Sequence, residues 1–176
     1  VLDYDASVVE FLREAGAVVL GTTPMTEFGM SPLGGNVHRV MPRNAHRDDR
    51  LPGGSSSGSG VAVACGVVPI ALGADGGGSI RIPAAYNGVF GIKPTFGRVP
   101  VVGHGLPGGS SVVHLGPIGA SSHDLAVFLE AASGPDPRDA SSERQPVFEQ
   151  NELAEAIGRG VRGLRDHLPV AAYAAG

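Results

Sequence analysis

Two glycine- and serine-rich stretches interrupt the most apolar third of this chain, and they constrain its fold more than any other feature. One runs from Pro52 through Gly53, Gly54, Ser55, Ser56, Ser57, Gly58 and Ser59 to Gly60. The other runs from Gly73 through Ala74, Asp75, Gly76, Gly77, Gly78, Ser79, Ile80, Arg81 and Ile82 to Pro83. Between them lies the longest nearly apolar stretch, residues 61–74, broken by Gly66 and Pro69. A membrane-spanning helix needs about 20 apolar residues, so this stretch is a core segment. Flexible linkers do not interrupt cores, so both stretches are tight turns inside a folded unit. Glycine permits backbone angles and close approaches that let successive N–H groups converge on one oxygen. Such donors beside a serine hydroxyl are what acyl transfer needs: the hydroxyl attacks a carbonyl and the amides hold the oxyanion that forms.

Elements are predicted on either side. Ser7 and Glu10 are spaced as a capping box, followed by Val8, Phe11, Leu12 and Ala15 at helical spacing. Gly16 ends that helix, and residues 17–20 read as a buried strand. Residues 21–50 are broken by Pro24, Pro32, Pro42 and several Gly, Asn and Asp, and read as loop. His38, Arg39, Arg43, His46, Arg47 and Arg50 make that loop basic; a solvated surface is the reading favoured over a binding patch. Residues 59–67 form a small-residue helix, 68–72 a second buried strand, and the run around Val89, Phe90 and Ile92 a third. Helices at 121–132 and 152–168 close the pattern, the second weakened by Gly158, Gly160 and Gly163. Alternating helices and short buried strands predict an α/β fold, with a mixed sheet covered by helices on both faces. The chain divides at residue 140 into a core (1–140) and a helical segment with a tail (141–176).

Composition excludes other classes. With 28 glycines and 14 prolines among 176 residues, and 42% apolar residues, the chain is loop-rich and globular, neither fibrous nor disordered. A net charge of −4 without a dense basic run disfavours nucleic acid and anionic membranes. The single Cys65 forbids a disulfide framework or a multi-cysteine zinc site and fits a cytoplasmic protein. A phosphate-binding loop needs Gly-Lys-Ser/Thr, yet the only lysine is Lys93, followed by Pro94. Gly54, Ser56 and Gly58 match a G-x-S-x-G elbow, but residues 48–52 ahead of them do not read as the strand that an elbow requires.

The two stretches, with Asn87, Gly88, Gly91, Lys93, Pro94, Thr95, Gly97, Arg98 and Val99 after them, resemble the amidase signature family. Ser55 and Ser79 stand 24 residues apart, as that family's serine pair does. The segment from Gly21 to Phe28 before them, and Gly116, Pro117, Ile118 and Asp124 after them, extend the resemblance over residues 6–140. It implies Ser79 as the acylating nucleophile and Ser55 as a bridging serine with a cis peptide bond to the preceding glycine. It further implies an oxyanion hole from the amides of Gly76, Gly77, Gly78 and Ser79, with Asp75 and Arg81 supporting the loop. Members cleave carboxamides through an acyl-enzyme, without metal or cofactor. The expected partner is therefore a small-molecule amide, with a homo-oligomer open and nucleic acid involved only if the protein is amidotransferase-like.

The sequence also departs from the family. Its base is a lysine upstream of the serine-rich stretch, and that position is expected to precede Val1, so the chain resembles the central slice of an amidase. General-base assistance is worth ~10²–10⁴ in rate. His38, His46, His104, His114 and His123 are available as substitutes, each with a surface role favoured over a catalytic one. Ala74 stands where many members carry a hydroxyl, and Thr22 and Pro24 where Lys and Asn are common. Besides a free-standing amidase, favoured mildly by Phe96 to Pro100, two readings stay open: a component of a tRNA-dependent amidotransferase and a non-catalytic truncated homologue. A slice of a larger sheet is also expected to expose apolar faces and dissolve poorly alone.

Overall fold

A computed structural model describes residues 4–103 and 111–160. Five α-helices and three strands are described, with a 3₁₀ turn at Glu27–Gly29: α1 (Ser7–Glu14), α2 (Ser57–Ala64), β1 (Ile70–Asp75), α3 (Arg81–Tyr86), β2 (Phe90–Gly91), β3 (His114–Gly119), α4 (Ser122–Ala132) and α5 (Glu152–Arg159). The strands form one sheet in the order β1-β3-β2. Ile70 faces Gly119 and Asp75 faces His114 across β1 and β3. The expected α/β class holds. The expected mixture of strand directions is absent among the described residues, where both pairings are antiparallel.

Period-2 alternation sends the two faces of the sheet to different cores. Ile70, Leu72, Ala74 and Leu115 face α1 and α4, packing with Val8, Val99, Phe128 and Ala132. Ala71 and Ile118 face α2 and α3, packing with Val63, Ile80 and Ala84. Helices thus cover both faces, as the alternating pattern predicts. The second core is thin because Gly73 and Gly116 face each other across the ladder. Ile80, fully buried, fills the slot they leave: a Cβ on Gly73 would stand 2.8 Å from Ile80 Cγ1, and one on Gly116 3.2 Å from Ile80 Cδ1.

Several elements differ from the sequence reading, each for a physical reason. Residues 17–20 are not a strand. Val18 is 81% and Leu20 72% exposed, and none of the described strands pairs with them. The predicted strand 68–72 begins at Ile70, after the imino Pro69, and runs on to Asp75 because β3 is long enough to pair with it. Strand β3 itself is hidden in the sequence by Gly116 and Pro117, which read as turn formers. The capping box at Ser7 and Glu10 does not form. Ala6 is the N-cap, and Glu10 instead takes the Arg138 guanidinium at 2.5 Å. Arg138 also meets Asp136 at 2.7 Å, holding that carboxyl well below the usual carboxylate range and tying residues 136–138 to α1. Helix α4 forms as expected and is capped by Ser121, whose Oγ accepts from the Asp124 N–H at 3.2 Å. The last helix is described to Arg159, and the rest of the predicted span, 161–168, lies outside the described residues.

Gly73→Ala is expected to overpack the slot against Ile80 and destabilise the fold by about 1–3 kcal/mol, read as a lower Tm with unchanged secondary structure.

Candidate active site

Strand β1 ends in Asp75, whose side chain is fully buried. Its carboxylate accepts hydrogen bonds from the N–H groups of Gly78 at 2.7 Å, Ile80 at 3.2 Å and Arg81 at 3.4 Å. The Arg81 guanidinium adds Nε at 2.9 Å and a terminal nitrogen at 3.0 Å. Burial alone would push this carboxyl up, but the Arg81 hydrogen bonds and the Gly78 and Ile80 amides outweigh it, bringing the pKa down to about 2. One side chain thus fixes the turn from β1 to α3. Gly78 is required within that turn: its φ is +128°, and a Cβ there would stand 2.7 Å from Ile82 Cδ1.

The other serine-bearing segment enters α2 through a cis peptide bond between Gly54 and Ser55, the bond for which the resemblance implies that geometry. A Cβ on Gly54 would meet Ser31 O at 2.7 Å, so only glycine fits there. Most hydroxyls of this segment are engaged. Ser57 Oγ donates to Gly53 O at 2.6 Å and Ser59 Oγ to Leu72 O at 2.8 Å. Ser56 Oγ accepts from the Ala74 N–H at 3.2 Å, and its own N–H donates to Ser79 O at 3.2 Å. The two segments are therefore laced together, with Ser56 as the stitch. Among the described residues, the hydroxyls of Ser55 and Ser79 have no hydrogen-bond partner. Ser55 is 5% exposed and Ser79 half-buried.

The expected oxyanion donors divide. The Gly78 N–H already donates to the Asp75 carboxylate at 2.7 Å, a charge-assisted bond. The N–H groups of Gly76, Gly77 and Ser79 have no partner among the described residues. Asp75 and Arg81, which the resemblance places behind the loop, are bonded to it and to each other.

Lys93 Nζ donates to Pro94 O at 2.9 Å and takes no part in this arrangement. His38 faces Glu27 at 3.4 Å, His46 Nε2 lies 2.8 Å from Asn87 O, and His114 Nδ1 lies 2.8 Å from Val112 O. None of these three bonds either free hydroxyl, nor does the exposed His123, and His104 lies outside the described residues. Among the described residues no group of His, Cys, Asp or Glu could hold a metal ion, and no helix is long and apolar enough to cross a membrane. A shallow cleft of about 400 Å³ opens along residues 22–28, facing Asn36, His38 and Arg39. It adjoins Ser55 through Thr26, whose N–H donates to Ser55 O at 3.1 Å. Sequence reasoning missed the stitching role of Ser56, for which a hydroxyl beside the bridging serine is the only signal.

A turn that joins strand to helix, a buried carboxylate behind it and two free serine hydroxyls make up a candidate serine-acylating site. The family model named Amidase matches residues 1–165, and the chain belongs to that family. It is 43% identical over all 176 residues to the A subunit of the Glutamyl-tRNA(Gln) amidotransferase of Akkermansia muciniphila, covering 37% of that protein. Against the protein of the same name from Aromatoleum aromaticum it is 46% identical over 175 residues, covering 98% of this chain and 36% of that one. Its fold superposes, at a TM-score of 0.86 and 41% identity, on an inhibitor-bound structure of a vestigial protein complex that reveals the evolutionary origins of an s-triazine catabolic enzyme. That alignment covers 93% of this chain and 35% of the other. The native peptide amidase of Stenotrophomonas maltophilia aligns at 0.75 and 40% identity, over 82% of this chain and 31% of its own. The chain thus spans about a third of the length of the relatives it matches.

Because the folded-state pKa of Asp75 lies below its unfolded value, its contribution is complete above about pH 4 and is lost as pH falls through about 2. That contribution is at most about 2 kcal/mol, since solvent reaches the half-exposed Arg81. Asp75→Asn is expected to cost about 3 kcal/mol at neutral pH, because an NH₂ replaces one accepting oxygen and faces the donors it held, while the charge opposite Arg81 is lost. The gap between variant and wild-type unfolding free energies should narrow below pH 4, which urea titrations at several pH values measure.

Proposed function

We propose that this protein is an amidase that cleaves a carboxamide C–N bond through an acyl-enzyme on Ser79. Ser79 Oγ attacks the amide carbonyl, and its proton passes to Ser55 Oγ and on to a neutral lysine in the remainder of the protein. The tetrahedral oxyanion is held by the N–H groups of Gly76, Gly77 and Ser79. Collapse breaks the C–N bond, the returning proton leaves with the amine, and water then attacks the ester by the same relay to release the acid. The observation that carries this reading is selective: in two segments laced together by Ser56, the hydroxyls left unbonded are those of Ser55 and Ser79. Lys93 Nζ donates to Pro94 O and bonds neither hydroxyl, which supports a base outside this stretch of chain.

A small fluorophosphonate tests it. The intact protein is expected to label on Ser79, with Ser79→Ala unlabelled and Ser55→Ala labelled about 10²-fold more slowly through loss of the proton relay. Equal labelling of wild type and Ser79→Ala, by mass spectrometry of the modified peptide, would refute the assignment.

A second reading rests on the names of the relatives, several of which are the A subunit of an amidotransferase. On that reading the ammonia released from the carboxamide passes to the glutamyl group of a glutamyl-tRNA, with other subunits of the complex present. Amide hydrolysis by the purified protein alone supports the free-standing enzyme, whereas turnover only with a partner present supports the amidotransferase.

A further inference from the structure

Asn87 is fully buried on the turn after α3 and is polar in a place where an apolar side chain would avoid all desolvation. Its carboxamide is nonetheless satisfied. One Nδ2 donates both to Pro52 O at 2.7 Å and to Pro83 O at 2.8 Å, and Oδ1 accepts from the Ala45 N–H at 3.0 Å. The partners are telling. Pro52 is three residues before Ser55, and Pro83 is four residues after Ser79. One planar NH₂ group therefore fixes, with both its hydrogens, the entry to one serine-bearing segment and the exit from the other. The spacing is supported by close backbone packing, since a Cβ on Gly53 would lie 3.1 Å from Pro83 Cα.

We propose that Asn87 is a positioning residue for the Ser55–Ser79 pair, setting the relative placement of the two hydroxyls through the carbonyls of Pro52 and Pro83. This rests on the proposed acylation of Ser79. The neighbouring Asn44 docks the same region differently: its Nδ2 donates to Tyr86 O at 2.7 Å and reaches Leu51 O only at 3.5 Å, and both acceptors lie outside the two serine-bearing segments. Asn44 therefore serves as the control for a contact that only stabilises.

Asn87→Asp keeps the shape and the Ala45 contact but turns an oxygen toward two carbonyl oxygens. In the intact protein, folded by circular dichroism, it is expected to lower the maximal rate of fluorophosphonate labelling at least tenfold with the half-saturating concentration unchanged. Asn44→Ala should lower Tm and leave that rate alone. Should Asn87→Asp fail to fold, Asn87→Ser removes the clamp without adding charge and carries the same expectation. A second readout is independent of acylation: the Ser56 N–H bonded to Ser79 O should exchange with deuterium at least tenfold faster in the Asn87 variant than in wild type. A wild type that does not label at all would defeat the amidase reading and leave exchange at Ser56 to decide the positioning. Folded Asn87 variants with wild-type labelling and exchange, or equal slowing in Asn44→Ala, would overturn the proposal.

Discussion

A carboxylate removed from water at the end of β1 gathers five donors within 3.4 Å, three from the backbone ahead of it and two from Arg81. Everything that gives this site its shape follows from that convergence. Desolvating a carboxylate is costly unless its lone pairs are filled, and here they are filled by the turn that the chain must make next. The residues between strand and helix have little choice of path. Gly78 turns its N–H back toward Asp75, while the amides of Gly76, Gly77 and Ser79 are left unspent. The same carboxylate thus removes one donor from the loop and presents the others.

The second constraint is proximity without side chains. The segment carrying Ser55 can lie against the β1–α3 turn because glycines at 53 and 73 remove the atoms that would hold the two apart. Ser56 then joins them through its backbone N–H to Ser79 O and its hydroxyl to Ala74. Small residues supply closeness and hydroxyls supply register. The chain belongs to the amidase family, and the stretches through which it resembles that family are the ones that make this closeness possible.

Much of this is legible in the sequence, and the exceptions have causes. The glycine-serine stretches, the helix at 121–132 and the layering on both sheet faces follow from local chemistry and periodicity. Strand β3 is hidden because Gly116 and Pro117 are turn formers. Glycine is needed there because a Cβ on Gly116 would lie 2.5 Å from Ile92 O, a contact invisible in one dimension. Ser7 and Glu10 have the spacing of a cap, yet a charge 128 residues away takes the glutamate. The resemblance implies the oxyanion amides as a group of four. Only coordinates show that Gly78 faces backward, because the pattern of residues does not say which way each N–H points. Residues 17–20 have the apolar, β-branched character of a strand, but a strand also needs a neighbour.

The facing glycines at 73 and 116 have a consequence for how the molecule tolerates change. Ile80, seated between them, belongs to the same turn as Ser79, so the middle of the sheet and the loop carrying that serine share one mechanical joint. Growth of Gly73 would be felt first as a displaced isoleucine, whereas growth of Gly116 would strike the Ile92 carbonyl before it reached Ile80. Variation at position 73 would therefore have to be compensatory, a larger residue in the ladder matched by a smaller one at position 80, so that drift in the sheet and drift in the turn carrying Ser79 become a single event.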